Sequence, residues 1–173
     1  MDLAKQSQTV CNELADVTRE TINVAILDGA RIVNLVEAIG PAEIALRSWV
    51  GQTCPVHATS SGKALLSGLS PGRVRELLGK RLETYTPDTI VEWPALHAEL
   101  EQARRRGWAS AREELEVGLN AIAAPVRDGN GQIIAALSVS GPAYRLKPER
   151  FDEVAELTMA AAHRISRRLG YLG

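Results

Sequence analysis

Cysteine is nearly missing from this sequence: Cys11 and Cys54 are the only two in 173 residues, and neither sits in a CxxC or other spacing that suits a metal site. Two thiols cannot build a disulfide framework, so the chain reads as a protein of the reducing cytoplasm. Charge imbalance is missing as well, with a formal net charge of -1 and a pI near 6.3. That leaves no basic stripe for a nucleic-acid backbone. Arg104-Arg105-Arg106 and Arg164, Arg167 and Arg168 are local clusters, but each falls at an expected helix C-terminus, where cations suit the macrodipole. Trp49, Trp93 and Trp108 are dispersed without interleaved basic residues, so nothing indicates a stacking platform for single strands. No apolar run approaches the ~20 residues of a membrane span, and the N-terminus lacks a signal-peptide pattern. What remains, 45% hydrophobic and 24% charged, suits a globular protein with one core and one domain.

Apolar residues Leu3, Val10, Leu14 and Val17 recur at helical intervals, so residues 2–18 are expected to form an amphipathic helix. The chain enters that helix with no preceding loop, as an excised part of a longer protein does. Thr21 to Leu27 and Arg31 to Ile39 flank Asp28-Gly29 as a β-hairpin, and Ile44 to Val50 reads as a third strand. Ser60 to Leu69 and Pro71 to Leu78 read as short helices, followed by a helix from Pro94 that stops near Gly107. Trp108 to Glu114 opens a second set of strands, and Pro148 to Leu169 forms the longest helix. Strands interrupted by helices, with hairpins at both ends, indicate an antiparallel α+β fold and argue against a doubly wound one.

The most informative stretch is ELEVGLNAIAAPVRDGNGQIIAALSVSGP, Glu114 to Pro142. Its Asp128-Gly129-Asn130-Gly131 turn predicts a hairpin with Arg127 opposite Gln132. Counting outward places Ile122, Ala124, Val126, Ile133, Ala135, Leu137 and Val139 on a bulky face. Leu119, Ala121, Ala123, Ala136, Ser138 and Ser140 fall on a small one. The bulky face is core. The small face either floors a ligand cavity or receives closely packed helices, and the residues leave both open.

Candidate chemistry elsewhere is sparse. His57-Ala58-Thr59-Ser60-Ser61-Gly62-Lys63 places hydroxyls and Gly at a helix start, where exposed N–H groups can receive a carboxylate; the plainer reading is an N-cap by Thr59, Ser60 or Ser61. Gly62-Lys63 is not a phosphate loop, because the earlier glycine and the following hydroxyl are absent. Catalysis is not expected: Cys54 reads as a packed thiol in an apolar strand, and His57 as a residue that orients the helix start. Glu113, Glu114 and Glu116 read as a solvated strand end. No cofactor is implied.

With these motifs in view, the chain resembles the effector-binding domain of the IclR family of bacterial transcriptional regulators over nearly its whole length. The resemblance rests on VGQTCPVHATSSGKALL (Val50 to Leu66), YTPDTI (Tyr85 to Ile90) and the Leu96 to Trp108 helix ending in RRRGW. EELEVGLNAIAAPVRD (Glu113 to Asp128) and AALSVSGP (Ala135 to Pro142) complete it. It implies a GAF-like, six-stranded antiparallel sheet flanked by helices over residues 1–173, whose small-molecule pocket controls an N-terminal winged helix-turn-helix absent from this chain. It also implies a homodimer or homotetramer that touches DNA only through that missing module, with no membrane contact. The first helix is the natural transmitter between the two modules. The family's pocket maps to Ser60, Ser61 and Gly62, to Ala121, and to Ser138 and Ser140, with Leu119 beside them on the small face. At Ala111 the chain departs from the family, which often carries an acid there. A cavity without that acid suits an anion with an apolar body. The expected effector is therefore a small organic acid, aromatic or branched, with its carboxylate near Ser61, Gly62 and Ser138 or Ser140. The alternative is a GAF-type sensor module of another signalling protein.

Overall fold

The computed structural model describes residues 2–40 and 50–173. Helix α1 (Leu3–Thr18) starts where the Asp2 carboxylate accepts the Ala4 amide at 3.0 Å, and it ends at Arg19, whose φ of 64° is left-handed. Strands β1 (Thr21–Asp28), β2 (Arg31–Ile39) and β3 (Thr53–Pro55) follow. Next come α2 (Ser60–Leu66), α3 (Pro71–Leu78) and α4 (Trp93–Arg106). Strands β4 (Ala109–Arg112), β5 (Leu119–Arg127) and β6 (Ile133–Pro142) lead through a 3-10 turn, Pro148–Arg150, into α5 (Phe151–Arg168). The six strands form one sheet in the order β3-β2-β1-β6-β5-β4, antiparallel throughout. The expected α+β architecture is the one found. The expected strand Ile44 to Val50 lies outside the described residues except for Val50, which makes an isolated parallel bridge to Asn34.

Each face of the sheet has its own core. On one, α1 and α5 bury Val10, Leu14, Phe151, Val154 and Ile165 against Ile22, Val24, Ile122, Leu137 and Val139. On the other, α2, α3 and α4 bury Leu65, Leu66, Val74, Leu96 and Leu100 against Ala25, Ala123 and Ala136. The α1 stripe is narrower than its spacing predicts: Cys11 and Ala15 complete it, and Val17 is 64% exposed. At the end of α1 the chain is pinned by an ion pair. The buried Glu20 carboxylate accepts two hydrogen bonds from Arg145, at 2.6 and 2.9 Å, in space that a side chain at Gly141 would fill.

Cys11 lies at the centre of the α1 interface, and burial pushes its thiol from 9.0 up to about 12. The unfolded chain releases this proton near the ordinary value, so it holds fewer protons than the native state above about pH 9, and stability falls as pH rises towards 12. Cys11→Ala is expected to remove up to about 1.4 kcal/mol of that loss per pH unit within the window. Urea unfolding across an alkaline pH series measures it, and equal slopes in the two proteins would contradict it.

The Asp128 turn closes one residue tighter than the sequence suggests. Asp128, not Arg127, faces Gln132, with the Asp128 amide donating to the Gln132 carbonyl at 3.0 Å. A bulge between Val126 and Arg127 then shifts the register, so Ala124 faces Leu137, Ala123 faces Ser138 and Ala121 faces Ser140. The shift leaves the two faces as expected with one exception. Ile133 turns to the small face, where it packs beside Gly68.

Candidate ligand-binding site

The small-residue face resolves into two zones. Near the turn, Ala123 and Ala136 are fully buried in the core formed with α2, where short side chains let the helix pack closely. Farther from the turn, Ala121, Ser138 and Ser140 line a cavity with about 500 Å³ of empty space, part of it continuous with solvent. Close helix packing thus occupies one end of the face and an open cavity the other.

The sheet supplies the floor of this cavity, in the order β2, β1, β6, β5, β4: Asn34, Asn23, Ser138 and Ser140, Ala121, and Ala111. Ile32 and Cys54 extend it, Leu115 and Leu119 form an apolar wall, and Ala58 to Ser61 close it at the start of α2. Seven of the eight residues singled out in the sequence come together here: Ser60, Ser61, Ala111, Leu119, Ala121, Ser138 and Ser140. Gly62 is not on the lining. Its amide donates to Thr59 Oγ1 at 3.1 Å, and a side chain at this position would collide with the Val56 backbone. Glycine is required there for close packing, and its N–H is already satisfied. The lining residues that the sequence reading missed include Asn23, Asn34 and Leu115. Asn23 and Asn34 lie in the first hairpin, and an asparagine within a β-branched strand run, unfavourable for the strand, is the one signal the sequence carries for them.

Polar atoms in the cavity are conspicuously unengaged. Ser60, Ser61 and Ser138 are 2–5% exposed, and their hydroxyls make no hydrogen bond among the described residues. The Ser60 and Ser61 amides head α2, where no carbonyl of a preceding helical turn exists to receive them. Buried polar groups are nearly always hydrogen-bonded, so hydroxyls and amides converging on one space mark a place for a polar guest.

Lys63 is not part of the lining. Fully buried, it donates to Glu114 at 2.6 Å, to the Ser110 carbonyl at 2.8 Å and to Glu99 at 3.3 Å, which uses all three ammonium protons. Glu114 is thus buried in an ion pair and not solvated as its glutamate-rich context suggests, because its second oxygen also accepts the Arg112 amide at 2.8 Å. Strand β4 stops at this point, where Glu113 takes a left-handed φ of 55°. The YTPDTI segment holds the turn that follows. Thr86 donates to the Glu113 carbonyl and Thr89 to the Glu114 carbonyl, both at 2.6 Å. Leu115 and Leu119 are thereby held over the cavity from two sides. His57, expected to orient the start of α2, instead bonds the Glu83 carbonyl at 2.8 Å and packs beside Tyr85, so Thr59 alone caps the helix. Among the described residues no cluster of three His, Cys, Asp or Glu is placed to hold a metal, and no helix is long and apolar enough to cross a membrane.

Comparison with known proteins agrees with this geometry. Residues 1–167 match the family described as bacterial transcriptional regulator IclR, C-terminal. The chain is 40% identical over 152 residues to the HTH-type transcriptional repressor AllR of Klebsiella pneumoniae, covering 87% of this chain and 56% of that protein. It thus spans a little over half the length of that relative. The crystal structure of the C-terminal domain of the Escherichia coli regulator KdgR superposes with a TM-score of 0.86 at 35% identity, covering 99% of this chain and all of that one. The inducer-binding domain of an Acinetobacter PobR double mutant, in complex with 3-hydroxybenzoic acid, gives 0.88 at 30% identity, covering 96% of this chain and 98% of that one.

Proposed function

Since this chain belongs to the IclR family of bacterial transcriptional regulators and is its C-terminal, effector-binding domain, we propose that its cavity takes a small organic acid. In this reading the acid's binding controls DNA binding by an N-terminal winged helix-turn-helix of the whole protein. The observation that carries the proposal is the set of buried, unengaged hydroxyls on Ser60, Ser61 and Ser138 facing one cavity. A carboxylate accepts several hydrogen bonds at once, and neutral donors stabilise it well in a site shielded from water. The first two amides of α2 add donors on the same wall. Among the described residues no cation lines the cavity, and Lys63 is turned into its own ion pairs. The apolar body of the acid then rests on Ala111, Ala121, Leu115 and Leu119, in space that an acidic residue at position 111 would occupy. The hydroxybenzoic acid held by the PobR relative supports a ligand of this class.

Control of DNA binding requires the effector to prefer one arrangement of the homodimer or homotetramer, with a coupling of about 1–3 kcal/mol. Helix α1 is the proposed transmitter. Its far end is fixed by Glu20 and Arg145 to the turn that follows the cavity strand β6, and Thr21 pairs directly with Ser140. Isothermal titration of the chain with aromatic, branched and short oxo-acids tests the reading. At least one class is expected to bind, and uniform absence of heat with well-folded protein would count against an acid effector.

A further inference from the structure

We infer that Asn34 and Asn23 form a second polar subsite in the cavity, one that recognises a hydrogen-bond donor on the effector, a hydroxyl or an amide N–H. The inference deepens the organic-acid reading and rests on it for the other half of the ligand. It arises from the uneven chemistry of the floor. Crossing the sheet, β2, β1 and β6 each present an amide or hydroxyls, whereas β5 and β4 present only the apolar Leu119, Ala121 and Ala111. Neighbouring strands lie about 4.8 Å apart, so the two asparagines extend the serine patch by roughly 10 Å away from the apolar wall. A carboxylate held at Ser60, Ser61 and Ser138 leaves that extension unfilled.

The hydrogen bonds of the two amides define what belongs there. Asn23 is 3% exposed, and its nitrogen donates to the Val36 carbonyl at 3.3 Å and to Glu37 Oε2 at 3.5 Å. A carbonyl can only accept, so the bond to Val36 fixes the amide orientation and aims an acceptor, Oδ1, that receives no hydrogen bond from the described residues. Asn34 is 6% exposed and its side chain makes no hydrogen bond at all among the described residues, although its backbone holds the chain at Gly51 and Gln52. Two acceptors and a pair of donors therefore line the cavity with no partner among the described residues. A monofunctional apolar acid would bury these groups without partners. An acid that also carries a hydroxyl or an amide N–H gives each Oδ1 a proton to accept and can accept one in return.

Removing the carboxylate and the hydroxyl separately tests this. The probes are 3-hydroxybenzoate, benzoate and phenol on an aromatic frame, and 3-hydroxybutyrate, butyrate and 2-butanol on a short one, titrated calorimetrically into the chain and into Asn34→Ala. On the frame that fits, the hydroxy-acid is expected to bind about tenfold or more tighter than its deoxy counterpart. Asn34→Ala should abolish that preference while leaving the deoxy acid within about twofold. Because the Asn34 side chain makes no hydrogen bond among the described residues, the variant should also melt no lower than the parent. An equal loss for hydroxy and deoxy acids, a lowered melting temperature, or no hydroxyl preference in the parent would each overturn the inference. Acids that bind without that preference overturn this subsite alone, and hydroxyl binding indifferent to the carboxylate overturns only the acid reading. No binding by any probe to folded protein overturns both.

Discussion

Lys63→Met is expected to lower the unfolding free energy by about 3–5 kcal/mol, the usual cost of leaving a buried charge without its partner. The stranded group is Glu114, 8% exposed at its side chain, with Lys63 at 2.6 Å as its only ion-pair partner among the described residues. Glu99 contributes less, because its carboxylate is 33% exposed and stays solvated when the lysine is removed. The double variant Lys63→Met/Glu114→Leu should recover most of the loss, since replacing both charges by apolar groups removes the desolvation cost along with the attraction. Urea unfolding of the two single variants and the double measures this. A Lys63→Met cost below about 1 kcal/mol, the scale of an exposed pair, would show that water reaches the site.

The ion pair carries more than stability, because it joins two walls of the cavity. Lys63 lies one turn into α2, whose first residues present Ser60 and Ser61, and Glu114 lies in the turn that carries Leu115. Thr86 and Thr89 fasten the same turn from the opposite side. The YTPDTI motif, Tyr85 to Ile90, thus holds the lid of the site. None of this was legible in the sequence. Lys63, Glu114 and Thr89 are far apart along the chain, and each belongs to a residue type that is normally exposed, so local pattern assigns them to the surface.

Local patterns served well where one face of one element decides the outcome. The alternation in β5 and β6 places Ala121, Ser138 and Ser140 together despite the different turn, because the tighter turn and the bulge each move the cross-strand pairing by one residue, an even step of two over most of the hairpin. Ile133, beside the bulge itself, is where it failed. Gly62 shows a different limit. The same small residue serves to expose an amide or to admit a neighbouring backbone, and only the Val56 carbonyl lying against it distinguishes the two. Asn23 and Asn34 were overlooked for a third reason: an asparagine within a strand is unfavourable for the strand, which is a mark of function only when its environment is known to be buried.

Ser138→Leu is expected to weaken effector binding by two orders of magnitude or more while the domain remains folded. Ser138 sits on the inner strand β6 with Asn23 on one side and Ala123 on the other, and its hydroxyl faces the cavity. Leucine removes a ligand partner and occupies the space the ligand needs, so affinity should fall by two orders of magnitude or more, about 3 kcal/mol. The added carbons enter empty space and not packed core, which keeps the stability change within about 1 kcal/mol. Ser138→Ala separates the two causes, since it deletes only the hydroxyl and should cost about tenfold. Val139→Ala gives the converse result. Its side chain is fully buried on the opposite face under α1 and α5, so truncation should lower stability and leave affinity nearly unchanged. Calorimetric titration with whichever acid binds the parent, paired with urea unfolding of all three variants, reads both quantities. Unchanged affinity in Ser138→Leu would remove this serine, and with it the β6 side of the cavity floor, from the effector site.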